Sequence, residues 1–148
     1  MLGTEKVTPW DQRAARILVK PLAKTPVSPN QLTLVTVIIA WTGAWLLSTG
    51  THDDANLGAG LFVLARFLDH FDGELARLTG QSSRLGYYLD YFAGALSYAA
   101  MFTGIGIGLM HSPLGHWALV LGAAGSLCAI LAMPVNLSID NASGTEAA

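Results

Sequence analysis

The sequence predicts an all-α fold: a polytopic membrane bundle of four spanning helices after an N-terminal amphipathic helix at the interface. Three observations carry this. Apolar residues make up 52% of the 148-residue chain and charged residues only 12%, about half the charged share of a soluble globular domain. The mean hydropathy is +0.46. The charges are also segregated: no Asp, Glu, Lys or Arg occurs from Thr25 to Thr51 or from Tyr91 to Ile139. A net charge of −2 and a pI near 6.0 argue against a nucleic-acid partner, which needs a basic face. The single Cys128 excludes an internal disulfide and any multi-cysteine metal site.

The chain reads as one membrane domain, 1–148, with residues 1–24 as a cytoplasmic or interfacial segment. Thr8-Pro9-Trp10-Asp11 has the form of a helix start, with Thr as N-cap and Pro at the first position. Trp10, Ala14, Ile17 and Pro21 then form one face and Arg13, Arg16, Lys20 and Lys24 another. This suits a helix lying on membrane lipids with its basic face toward anionic headgroups, and equally a plain juxtamembrane flank. No secretory signal peptide is expected, because the first apolar run starts near residue 32 without a convincing cleavage site. Ser28-Pro29-Asn30 turns the chain into the first span, 32–49. Its eighteen residues extend roughly 27 Å, close to a bilayer core.

The second span, 55–77, contains Arg66, Asp69, Asp72, Glu74 and Arg77 and scores poorly by hydropathy. It is counted as a span because its neighbours otherwise need an odd connection across the membrane. His111-Ser-Pro113 divides two further spans, 86–110 and 114–133, and Pro134 is expected to close the last one. Residues 134–148 then form a polar tail. Basic residues precede the first span and mark the second connection at Arg77 and Arg84, while the other two connections have none. The positive-inside rule places the N-terminus and the 77–85 turn in the cytoplasm.

An ionisable side chain near the centre of a membrane helix costs about 2.5–3.5 kcal/mol on insertion scales and marks function by default. Treated as an antiparallel hairpin about residue 81, the second and third spans put Asp72 level with Asp90, and Asp69 opposite Gly94 one turn deeper. Three converging carboxylates repel one another unless they take up protons or a cation. Oxygen ligands without His or Cys suit Mg²⁺, Mn²⁺ or Ca²⁺ rather than zinc. Gly73 and Ala76 beside the acids leave the backbone approachable, and Arg66 and Arg77 offer planar forks to phosphate oxygens. The plainer reading is charge pairing within the helix, with Arg66 and Asp69 the obvious couple. Clustering of the acids in one half of the crossing argues against a cation pathway.

Asp69-His-Phe-Asp72-Gly73-Glu-Leu-Ala76-Arg77, then eight residues, Gly86, three residues and Asp90, closely resembles the signature of the CDP-alcohol phosphotransferase family, D-x-x-D-G-x-x-A-R, eight residues, G, three residues, D, three residues, D. Seven of its eight fixed positions match at the right spacing, and Ser28-Pro-Asn-Gln-Leu-Thr33 also looks like the family's N-terminal region. The resemblance covers roughly residues 8–133. It implies a phospholipid-biosynthesis transferase that moves a phosphoalcohol group, expected to be phosphatidyl, from a CDP-linked donor to an acceptor hydroxyl with release of CMP. By that resemblance Asp69, Asp72 and Asp90 bind one or two Mg²⁺ or Mn²⁺ ions, Gly73, Ala76, Arg77 and Gly86 line the CDP pocket, and the protein sits in a bacterial inner membrane.

The chain departs from the family pattern in two ways. The fourth signature aspartate, to which the resemblance assigns metal ligation and general-base catalysis, is Gly94 here. No catalytic base is therefore intact; Tyr91 and Ser97 flank the position, but neither is a base at neutral pH. The family also has six spanning helices where four are expected here, so part of the acceptor pocket is expected to be absent unless another chain, such as a second copy in a homodimer, supplies it. A catalytically impaired or truncated relative that binds CDP-alcohol and metal, or assembles with another subunit, is the alternative function. Weaker features are read as structural: the His70–Glu74 pair as a helix-surface couple, Gly104/Gly108 and Gly122/Ser126 as close-packing pairs, and Trp41, Trp45 and Trp117 as lipid contacts.

Overall fold

The computed structural model describes residues 18–142, and they are helical throughout apart from short connections, with no strand among the described residues. Four long helices come after a single 3-10 turn at Leu22–Lys24: α1 Pro29–Ser48, α2 His52–Thr79, α3 Arg84–Gly108 and α4 His116–Ala142. Their starts are chemically marked. Ser28 forms a capping box on α1, its hydroxyl accepting from the Gln31 amide and its own amide donating to the Gln31 side chain. Thr51 caps α2, with Asp53 and Asp54 in the first turn where the helix dipole favours acids. Ser83 caps α3. Gly80 ends α2 with φ at 66°, a left-handed conformation that a residue with a Cβ resists.

α1, α3 and α4 are long and apolar enough to cross a membrane. α2 has the length, 28 residues, but its charge keeps it outside that criterion. Of the N-terminal amphipathic helix, everything before Leu18 lies outside the described residues. From Leu18 onward the chain turns inward: Val19 is fully buried and packs with Leu32, Phe71 and Leu75, and Leu22, Ala23 and Val27 close over this cluster. The segment is thereby anchored to the end of α2 that carries the acids.

The last span does not stop at Pro134. α4 continues through it to Ala142, so 134–142 is helix rather than polar tail. Proline removes one backbone donor and crowds the carbonyl one turn back, but membrane helices accommodate it when nearby groups re-satisfy the backbone. The extra turns bring Asp140 to the Tyr87 and Tyr91 hydroxyls, which both donate to it.

Across the bundle the order is α2, α1, α3, α4: α1 packs along both α2 and α3, and α4 along α3. Helices in lipid gain no hydrophobic energy from meeting, so close van der Waals approach decides the pairs. Gly43 and Gly58 supply it between α1 and α2, where a Cβ on Gly43 would stand 2.7 Å from the Gly58 carbonyl oxygen. Gly104 and Gly108 press on the Ala44 and Leu47 carbonyls of α1, and Gly106 meets Gly122 of α4. Ser126 donates to the Ala99 carbonyl at 2.8 Å. Trp41, Trp45 and Trp117 are exposed, as lipid-facing residues should be. By contrast α2 and α3 scarcely meet along their backbones. They are the two walls of a cleft with α1 as its floor, rather than a packed hairpin.

Candidate functional site

The acids face this cleft from both walls. Asp69 and Asp72, three residues apart on α2, share a face, and Asp90 comes from the opposing wall, α3. One carboxylate oxygen from each lies within 4.8 Å of the others. Oxygens on opposite sides of a hard divalent cation stand about 4–5 Å apart at ordinary Mg²⁺ and Ca²⁺ bond lengths. The donor set therefore fits such an ion by chemistry and by spacing. A second observation agrees: Asp90 Oδ1 is buried with no hydrogen-bond partner, a costly state for a carboxylate oxygen that has nothing to bind.

The floor holds Asp72 in place. Asp72 is 5% exposed, and its Oδ2 accepts a 2.5 Å hydrogen bond from the Thr33 hydroxyl of α1. Its Oδ1 accepts from the Gly73 amide at 2.6 Å. Thr33 is itself buried, and the hydroxyl of Thr36 one turn on donates to the Thr33 carbonyl. One face of α1 thus carries hydroxyls under the acids while Leu34, Val35 and Ile38 point outward. Sequence reasoning noted Thr33 only as part of a resemblance. The available signal was two threonines three apart in an otherwise apolar span, placed to share one face.

Of the residues expected around a nucleotide, Gly73 faces open space: a Cβ there would find only Arg77 Nη2, at 3.9 Å. Ala76 is half-buried. Arg77 is ion-paired through Nη1 with buried Glu74 at 2.6 Å, and its own side chain is 59% exposed, leaving the fork accessible. Gly86 lies near the start of α3, where a Cβ would stand 3.1 Å from Ser83 Oγ and 3.5 Å from Asn30 Oδ1. The starts of α1 and α3 are therefore neighbours, with Asn30 at ordinary contact distance from position 86. Asn30 was not singled out as a site residue from the sequence.

Arg66 forms the anticipated pair with Asp69, Nη2 to Oδ2 at 2.8 Å, and stacks over the Tyr98 ring with Cζ 5.1 Å from its centroid. A Cβ added at Gly94 would meet nothing but Arg66 Nη1, at 3.8 Å. The partner of position 94 across the cleft is thus Arg66, one turn deeper than the Asp69 level expected from hairpin symmetry. Neither neighbour of Gly94 is available as a substitute base: the Tyr91 hydroxyl is engaged by Asp140 and the Ser97 hydroxyl donates to the Ala93 carbonyl. His70 Nδ1 is 2.9 Å from the Arg66 carbonyl oxygen, a contact within its own helix.

A profile of the CDP-alcohol phosphatidyltransferase family matches residues 26–145. The archaetidylinositol phosphate synthase of Pyrococcus horikoshii is 34% identical over 103 residues, which cover 70% of this chain and 53% of that protein. The phosphatidylinositol phosphate synthase of Corynebacterium glutamicum is 31% identical over 130 residues, 84% of this chain and 57% of that one. A bifunctional IPC transferase and DIPP synthase of Rubrobacter xylanophilus is 37% identical over 87 residues, 59% of this chain and 19% of that protein. The chain spans about half the length of the first and second of these relatives and a fifth of the third.

Proposed function

The chain belongs to the CDP-alcohol phosphatidyltransferase family, and on that premise we propose that it binds a CDP-linked lipid through a divalent cation and transfers the phosphatidyl group to an acceptor hydroxyl, releasing CMP. The observation that carries the reading is the convergence of Asp69, Asp72 and Asp90 on one point of a cleft between two helices. Asp69, Asp72 and Asp90 hold Mg²⁺ or Mn²⁺, which when bound neutralises the pyrophosphate and the departing CMP. Gly73 and Ala76 leave space beside the acids for the nucleotide, and the Arg77 fork takes a phosphate oxygen. Thr33 fixes the Asp72 carboxylate. Gly86, at the start of α3 beside Asn30, lines the nucleotide end of the site.

In the reaction, the acceptor oxygen forms a bond to the lipid-side phosphorus while that phosphorus loses its bond to the CMP oxygen. The acceptor proton leaves to solvent, because position 94 offers no carboxylate to take it. A missing general base typically costs ~10²–10⁴-fold in rate, which makes the chemical step slow. The names of two relatives specify inositol phosphate lipids, so an inositol phosphate is the first acceptor to try. In this reading α2 crosses the membrane with the other three helices. The N-terminus and the acids face the cytoplasm, as the basic residues Lys20, Lys24, Arg77 and Arg84 suggest, in a bacterial inner membrane.

A second reading, binding of the CDP-alcohol without turnover, is favoured by one observation: Arg66 stands where a carboxylate at 94 would reach. The assay that separates the two is CMP release from CDP-diacylglycerol with inositol phosphate, inositol, glycerol phosphate or serine as acceptor. Release that depends on one acceptor supports transfer. Retention of the donor without release supports the binding reading, and neither binding nor release contradicts both.

A further inference from the structure

We propose that the Arg66 guanidinium is a resident cation of the carboxylate site and that it limits the site to one divalent ion. The inference rests on reading Asp69, Asp72 and Asp90 as a cation site and specifies how many ions that site takes.

Three contacts define where Arg66 lies. Nη2 is 2.8 Å from Asp69 Oδ2. The guanidinium carbon is 5.1 Å from the Tyr98 ring centroid, and Tyr98 packs edge-on against Phe62, itself buried, at 5.3 Å between ring centroids. Nη1 lies over Gly94, 3.8 Å from the point a Cβ would occupy. The guanidinium is therefore held by a carboxylate on its own helix and by an aromatic face of the opposing helix. Its Nη1 stands at ordinary contact distance from the point a Cβ at 94 would occupy, so a polar side chain there would meet it first. Cation–π contact and a charge-assisted hydrogen bond both strengthen where water is scarce.

This placement sets the charge balance. Three carboxylates carry three negative charges and Arg66 returns one positive charge, leaving a deficit that one divalent ion balances. Asp69 commits Oδ2 to Arg66, so a bridge between two ions through both of its oxygens would compete with that pair. A carboxylate at 94 would enter within reach of Nη1 and pair with Arg66 before it could serve as a ligand. Restoring an acid at 94 is then not sufficient to create a second ion site; Arg66 must also be neutralised.

The test is Mn²⁺ titration of the purified chain in detergent, monitored by electron paramagnetic resonance, with no nucleotide or lipid added. Helicity and gel-filtration profile establish that each variant is folded. The wild type should bind one Mn²⁺. Gly94→Asp should still bind one. Arg66→Gln should bind one about tenfold or more tightly, because a like charge has left the site; a merely structural arginine would leave affinity unchanged or lower it. The Arg66→Gln/Gly94→Asp double variant should bind two, with the broadened spectrum of a spin-coupled pair. Two ions in the wild type or in Gly94→Asp, weaker binding by Arg66→Gln, or one ion in the double variant would each overturn the proposal. If the double variant does not fold, the wild-type stoichiometry and the Arg66→Gln affinity still decide it. No Mn²⁺ bound by the wild type would instead overturn the cation site itself.

Discussion

Thr33→Val tests whether the floor of the cleft prepares Asp72 for a cation. Both groups are almost fully buried, and the hydroxyl donates to Oδ2 at 2.5 Å. Valine keeps the volume and removes the donor. A hydrogen bond to a charged group is worth about 1.5–3 kcal/mol net, equivalent to about 10–150-fold in a binding constant at 1.4 kcal/mol per decade. Loss of groups that orient metal ligands typically weakens metal affinity by ~10–100-fold, so the two routes agree. The remaining bond from the Gly73 amide keeps the effect toward the lower end. The assay is Mn²⁺ affinity by paramagnetic resonance, with Thr33→Ser, which retains the donor, expected within about threefold of wild type. Thr42→Val is a control on the same helix, since that hydroxyl is exposed and bonds only its own helix backbone at Ile38. Unchanged Mn²⁺ affinity in a folded Thr33→Val protein would refute the reasoning.

Three further outcomes are expected. Arg77→Ala should weaken CDP binding by about 10–100-fold, the scale of one charge-assisted hydrogen bond, while Mn²⁺ affinity measured without nucleotide changes little. Gly104→Val should lower the unfolding midpoint in detergent sharply, because its Cβ would run into the Ala44 carbonyl, and overpacking typically costs ~1–3 kcal/mol or more. Gly60→Ala, with nothing within 4 Å, should be neutral. Tyr91→Phe removes one of the two hydroxyls on Asp140, so amide exchange over residues 135–142 should accelerate by several-fold, consistent with a hydrogen bond of about 1 kcal/mol.

How far the site was legible depended on whether local spacing or distant packing set each residue's place. Asp72 and Asp90 could be matched in depth because two helices with a short turn are nearly symmetric about it, and 1.5 Å per residue fixes depth on both sides. Such symmetry gives level, not neighbour. It took α2 and α3 to be backbone neighbours, whereas each packs its backbone on α1 and they meet only through side chains. The cause is the approach of Gly43 to Gly58 and of Gly104 to Ala44, contacts whose partners no window of sequence contains. Thr33 went unassigned for the same reason, since its partner is 39 residues away. Arg66 and Asp69, one turn apart, were paired correctly from spacing alone, but the Tyr98 face over Arg66 required the fold. Pro134 misled because proline ends most helices in water, whereas membrane helices tolerate it and α4 runs through it. The captured end of α4, with Asp140 on two tyrosines, is a consequence of that helix continuing.

The most direct test of the cation-bridged cleft is CDP binding to the purified chain in detergent with and without Mg²⁺, for the wild type, Asp72→Ala and Asp90→Ala. A cation held jointly from both walls predicts binding that requires Mg²⁺ and is lost in each variant, because Asp72 and Asp90 come from different helices and their carboxylate oxygens converge within 4.8 Å. Binding that is indifferent to Mg²⁺, or equal in the two variants and the wild type, would contradict it.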